Sequence, residues 1–188
     1  HADRETRYAL DGLRIRGRHN IANVMAAVSA ATLWGTSPGV IRTVLAQFPG
    51  LPHRLEFVAE KKGVTYINDS KGTNVDAVAQ SLRSFSGPII LLAGGVEKGG
   101  DYSSLRDLVR TRVKKLILFG QAQNVLQAAL GRETETLRVE ALDAAVQAAQ
   151  IGAQAGDTVL LSPACASFDQ FQNYTHRGEV FRSYVEAL

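Results

Sequence analysis

One cysteine, one methionine, one tryptophan and five prolines in 188 residues are the first limits on this chain. A lone cysteine can neither close an intramolecular disulfide nor find a CxxC partner for zinc, which points to a reducing, cytoplasmic setting. No run approaches the roughly 20 apolar residues that a membrane-crossing helix needs, and the polar start "HADRETRY" lacks a signal-peptide core. The net charge is only +3, and Lys and Arg are scattered, with no basic stripe interleaved with aromatics. Nucleic acid and membrane are therefore not expected partners, whereas anionic small molecules such as phosphates are. A GxxxxGK[ST] phosphate loop and a GxGxxG dinucleotide turn are both missing. The first residue is His rather than Met, so the chain is expected to be a piece of something longer.

With 45% apolar and 21% charged residues, there is material for one well-cored domain and part of another. "GRHNIANVMAAVSAATLWG" carries Ile21, Val24, Met25 and Val28 at helical spacing. "SPGVIRTVLAQF" reads as a second helix, with Ser37 as N-cap and Pro38 at its first position. From Arg54 the pattern changes: "RLEFVAEKKGVTYINDS" predicts two strands around a Lys-Lys-Gly turn. Helices at 74–85, 102–112, 122–130 and 142–153 then alternate with the strands "PIILLAGG", "KKLILFG", "TLRV" and "DTVLLSP", and a last helix runs from about His176 to Ala187. Strands apolar throughout, separated by amphipathic helices, imply parallel pairing with both faces covered. The expected fold is a Rossmann-like, doubly wound, mostly parallel α/β sheet opened by a β-hairpin. Domain limits fall at 1–50 and 51–188, and ligands gather at the C-terminal ends of the strands.

That rim carries the chemistry. "NDSKGTN" sets Asp69, Ser70, Lys71, Thr73 and Asn74 directly after a strand, suited to a metal-associated phosphate and a carboxylate; a plain helix start would use Thr73 or Asn74 but leave Lys71 without a task. "AGGVEKGGDY" pairs glycines around Lys98, a natural carboxylate holder or a flexible turn. Asn20 and Asn23 share a helical face and could read a purine edge or simply lie on the surface. Arg54, in "GLPHRLE", sits where two domains would face each other. In "SPACASF", Cys165 lacks a positioned base, which favours a buried thiol over a nucleophile; Ser167, next to an expected helix start, is the better ligand contact.

Taken in order, "GRHNIAN", "GLPHRLE", "NDSKGTN", "GGVEKGG" and "LSPACASFDQFQNYTHRGEVF" resemble the Mur ligase family of peptidoglycan synthesis, and within it the D-glutamate-adding enzymes. The resemblance begins at about Arg16. It implies the helices that end a central ATP-binding domain in 1–50 and the whole amino-acid-binding domain in 51–188, without the UDP-binding domain, the phosphate loop or the carbamylated lysine. The family's full enzyme uses ATP and Mg2+ to activate the carboxyl of UDP-N-acetylmuramoyl-L-alanine as an acyl phosphate, which the amine of D-glutamate attacks.

Carried over residue by residue, the resemblance places Asn20, Asn23, Arg54, Asp69 and Lys71 at ATP. Lys71 is the candidate catalytic residue, stabilising charge on the phosphoryl group or the intermediate. Thr73, Lys98, Ser167, Phe168, Asn173 and Tyr174 form the D-glutamate pocket. No residue is assigned as a metal ligand. Gly72, Phe168 and Tyr174 stand where relatives often have Ala, Leu and Phe, and Phe168 is the largest of these departures. The chain is expected to be monomeric, bacterial, cytoplasmic and inactive alone. The alternatives are a sister Mur ligase or folylpolyglutamate synthase domain, and a non-catalytic Rossmann-like binding module.

Overall fold

The computed structural model describes residues 6–15 and 17–188, with Arg18 and His19 as backbone only; Arg16, where the resemblance begins, lies outside them. The chain divides into two compact units, 1–50 and 51–188. The first holds α1 (Arg18–Leu33) and α2 (Pro38–Gln47). Pro38 opens α2 with its fixed φ and missing N–H where neither costs a hydrogen bond; Ser37 occupies the N-cap position without a side-chain bond. In these helices only Val24 and Ile41 are buried among the described side chains, and Leu33 and Trp34 are almost fully exposed.

The second unit is one six-stranded sheet in the order β1-β2-β6-β3-β4-β5. Its hairpin pairs β1 (Glu56–Lys61) with β2 (Val64–Asn68). Between them Lys62 (φ 54°) and Gly63 (φ 76°) both take the left-handed conformation that a two-residue hairpin turn with native twist requires. Next come α3 (Val75–Arg83), β3 (Ile89–Gly94), a 3-10 turn (Tyr102–Leu105) continuing into α4 (Arg106–Arg112), and β4 (Val113–Phe119). The chain ends with α5 (Gln123–Leu130), β5 (Glu135–Arg138), α6 (Leu142–Gly152), β6 (Thr158–Ala164) and α7 (Tyr174–Glu186). All pairings except β1 with β2 are parallel.

Alternate residues of each central strand feed opposite cores. Ile89, Leu91, Leu116, Leu118 and Leu160 meet α3, α4 and α5 on one face. Ile90, Leu92, Ile117, Val159 and Leu161 meet α6 and α7 on the other. Burial on both faces is why these strands read as unbroken apolar runs. Two local expectations change. The 102–112 segment begins as a 3-10 turn, and α7 starts two residues before His176 because Asn173 caps it, accepting from His176 N–H at 2.9 Å.

Candidate functional site

The parallel strands deliver four loops to one edge of the sheet, and the side chains there sort into two clusters. The first surrounds an open pocket of about 700 Å³ lined by Leu51, Pro52, His53, Arg54, Lys71, Tyr174, Thr175, Glu179 and Arg182. Lys71 places its ammonium 3.9 Å above the Tyr174 ring, a cation–π contact that holds the charge at the pocket wall. The lysine also lowers the Tyr174 hydroxyl's pKa, after the larger effect of the Thr175 hydrogen bond. Arg54 and Glu179 also line the pocket, and Arg182 is ion-paired with Glu56, so the cations left to meet an anion at this wall are Lys71 and Arg54.

The loop that supplies Arg54 is built tightly. His53 (φ 62°) and Leu55 (φ 46°) both adopt left-handed backbone, uncommon for side chains of this kind. Glu56 accepts from the His53 N–H at 3.0 Å, and Lys71 N–H donates to the His53 carbonyl at 3.0 Å. The His53 ring is buried against Asn68, whose amide also meets Glu56 and the Gly178 carbonyl. His53 is thus part of the wall.

The second cluster lies on the loops after β2, β3 and β6. Lys98 Nζ donates to Thr73 Oγ1 at 3.4 Å, joining two loops that are 25 residues apart. A two-residue bridge, with Val96 and Ala166 exchanging N–H to O bonds at 2.9 Å, lays Ser167 alongside the glycine-rich loop. Ser167 is nearly buried and is followed by a turn at 168–170; the helix expected there begins only at Tyr174. Thr73 and Lys98 therefore meet, with Ser167 on the adjoining strand extension.

Other candidates take different places. The Asp69 carboxylate points inward, accepting from Ser81 Oγ at 2.6 Å, Ser162 Oγ at 2.7 Å and Leu55 N–H at 3.3 Å. Burial raises its pKa to about 6 against the pull of those hydrogen bonds. Asn173 spends its side-chain oxygen on the α7 cap. Phe168 is 73% exposed on the turn. Asn20 and Asn23 share an exposed face of α1, the Asn23 amide donating to Asn20 at 3.2 Å. Cys165 is wholly buried, its thiol pushed up by burial and set 3.5 Å from Tyr102 Oη, so it carries little thiolate at neutral pH.

Sequence reasoning overlooked Arg177, a fully buried arginine beneath the rim. The available signal was a charge on the apolar stripe of α7, four residues before Phe181 and eight before Val185. Among the described residues, no group of three or more His, Cys, Asp or Glu side chains is arranged to hold a metal ion.

The Mur ligase glutamate ligase domain model matches residues 53–165. The UDP-N-acetylmuramoylalanine--D-glutamate ligase of Syntrophotalea carbinolica is 47% identical over 188 residues, all of this chain and 42% of that protein. The chain thus spans less than half the length of such relatives. Among solved structures, the MurC ligase of Thermotoga maritima is similar in fold (TM-score 0.69, 13% identity, covering 93% of this chain and 39% of that one). So is the MurF ligase of the same organism in complex with ADP (TM-score 0.66, 16% identity, 91% and 39%). The family model covers most of the sheet-bearing unit, including the Lys71–Thr73 and Lys98 loops, and the chain belongs to the Mur ligase family.

Proposed function

We propose that this chain is the amino-acid-binding portion of an ATP-dependent, ADP-forming ligase that joins D-glutamate to UDP-N-acetylmuramoyl-L-alanine in bacterial peptidoglycan synthesis. Residues 1–50 are the closing helices of its ATP-binding domain. The observation that carries the reading is the meeting of Thr73 and Lys98 beside Ser167, at the strand ends where this fold class binds ligands. Support comes from the 47% identity to a relative named for this reaction. The ADP bound by the MurF relative supports ATP as the nucleotide.

The chemistry asks for these groups. Transfer of the γ-phosphoryl of ATP to the substrate carboxylate gives an acyl phosphate and ADP. The neutral amine of D-glutamate adds to the acyl carbon, the nitrogen gives up its proton, and phosphate leaves as the amide forms. D-glutamate brings two carboxylates and an amine that must lack its extra proton, so its pocket needs cationic and neutral donors without an anion at the nitrogen. Lys98 is a carboxylate clamp, and Thr73 and Ser167 are neutral partners. Phe168, Asn173 and Tyr174 complete the pocket walls. Lys71 stabilises negative charge on the transferring phosphoryl group or the tetrahedral intermediate. Arg54 belongs to the nucleotide side, Asp69 supports its loop from beneath, and Asn20 and Asn23 face the adenine. Mg2+ would accompany the nucleotide phosphates and neutralise charge on them. The proposed setting is the bacterial cytoplasm, and among the described residues no helix is long and apolar enough to cross a membrane.

The test is an amide-resolved NMR titration of the 188-residue chain. D-glutamate is expected to bind weakly, at about millimolar strength, because a chain holding only part of a closed site forfeits much of its affinity. It should shift the signals of Thr73, Lys98 and Ser167 while L-glutamate leaves them in place. An equal or larger response to L-glutamate would move the assignment to a folylpolyglutamate-type ligase, and no response to either would leave a non-catalytic binding module.

A further inference from the structure

Arg177 projects from the first turn of α7 into the sheet edge and is 0% exposed. No ion pair among the described residues involves it. Its N–H groups go instead to neutral oxygens of three separate loops. Nε donates to Ser70 Oγ at 3.0 Å and Nη2 to the Ser70 carbonyl at 3.0 Å. The Cys165 carbonyl receives both Nη1 and Nη2 at 3.3 Å, the Ala166 carbonyl receives Nη1 at 3.3 Å, and the Gly94 carbonyl is 3.5 Å from Nη1. Burial lowers its pKa to about 10, which still leaves the guanidinium protonated at neutral pH. The Asp169 carboxylate favours the charge from beyond ion-pair distance, but every hydrogen bond goes to a neutral oxygen, an uncommon arrangement since a buried charge is normally paired directly with a carboxylate.

The oxygens it gathers are the informative part. Ser70 precedes Lys71, Ala166 precedes Ser167, and Gly94 ends β3 just before the loop that carries Lys98. Ser70 Oγ in turn donates to the Tyr174 carbonyl at 2.8 Å, so the same centre fixes the residue over which Lys71 rests. A lysine could not replace this: its three donors radiate from one atom, whereas the planar fork reaches three strands at once. We propose that Arg177 is a positioning residue for the reaction, a single guanidinium that sets Lys71, the Lys98 loop and Ser167 in one register around the substrate carboxylate. The ligand in this inference rests on the D-glutamate reading; the clamp rests on the geometry alone.

Arg177→Lys keeps the charge and removes the fork. In the ligand-free 188-residue chain the variant should keep its core amide signals but displace those of Lys71, Gly95 and Ser167. Its D-glutamate dissociation constant should rise about tenfold or more, the loss expected when one charge-assisted contact is misplaced. A folded variant with those three signals at their wild-type positions overturns the clamp. A wild-type chain that ignores D-glutamate while the variant still shows displaced signals sinks the D-glutamate reading and leaves the clamp standing. Should the variant not fold, the Arg177 Nε–H signal of the wild type decides. A purely structural arginine would not respond to substrate, so a signal that moves together with Ser167 on adding D-glutamate supports the positioning role, and one that stays fixed overturns it.

Discussion

At the scale of single residues, Asp69 ties the strained Leu55 turn to the sheet, and its carboxyl is held at about 6 by burial. A folded-state pKa above the unfolded value means that the native protein binds this proton more tightly. The contribution to stability is therefore present at low pH and is lost as pH rises from about 4 to about 6, a change on the order of 2–3 kcal/mol. Asp69→Asn removes the titration while keeping the shape. The difference in melting temperature, variant minus wild type, should grow across that window, and a difference that shrinks or stays flat over pH 4–6 contradicts the assignment.

Lys71 is the complementary case. Its ammonium rests on the Tyr174 ring, and its backbone bond to His53 would survive truncation. In a complete ligase carrying this chain, Lys71→Ala should leave the melting temperature close to wild type while turnover falls by about 10²–10³, the usual loss for one preorganised charge-stabilising group. Wild-type turnover in that variant would remove Lys71 from the reaction.

At the scale of elements, the rim is a set of loops stitched from below. Arg177 joins the ends of β2, β3 and β6, and Asp169 Oδ2 accepts from Gln121 N–H at 3.1 Å, adding the loop after β4. Gly95 permits one of these close approaches: at φ 124°, a Cβ built there would lie 2.0 Å from the Ala166 carbonyl oxygen. Gly95→Ala is expected to cost more than about 2 kcal/mol, combining left-handed strain with a backbone clash. Urea unfolding measures it, and a stability within about 0.5 kcal/mol of wild type, the range of an ordinary surface substitution, would show that the loop can relax.

The same scale explains what could be read in advance. The hairpin and the alternating strands were legible because Lys62-Gly63 is a local turn code and strands covered on both faces read as apolar runs. The rim followed from topology, which brought Lys71, Thr73, Lys98 and Ser167 into view as ligand candidates. The inward turn of Asp69 was not legible, because Ser162, one of its two hydroxyl partners, lies 93 residues away. Arg177 was not legible either, because the carbonyls of Ser70, Gly94 and Cys165 that converge on it come from three separate parts of the chain. Non-local hydrogen bonding carries no sequence period, so such residues emerge only from the assembled sheet.

At the scale of the whole molecule, the chain spans 42% of a relative that it matches from end to end. It brings the candidate D-glutamate groups and a pocket lined by Lys71 and Arg54, and the proposed reaction is tested in a full-length ligase that carries them. The most direct measurement is phosphate release by a full-length ligase carrying these 188 residues, supplied with ATP, Mg2+ and UDP-N-acetylmuramoyl-L-alanine. The account predicts stoichiometric release on adding D-glutamate and none above background with L-glutamate; release driven by L-glutamate and not by D-glutamate would contradict it.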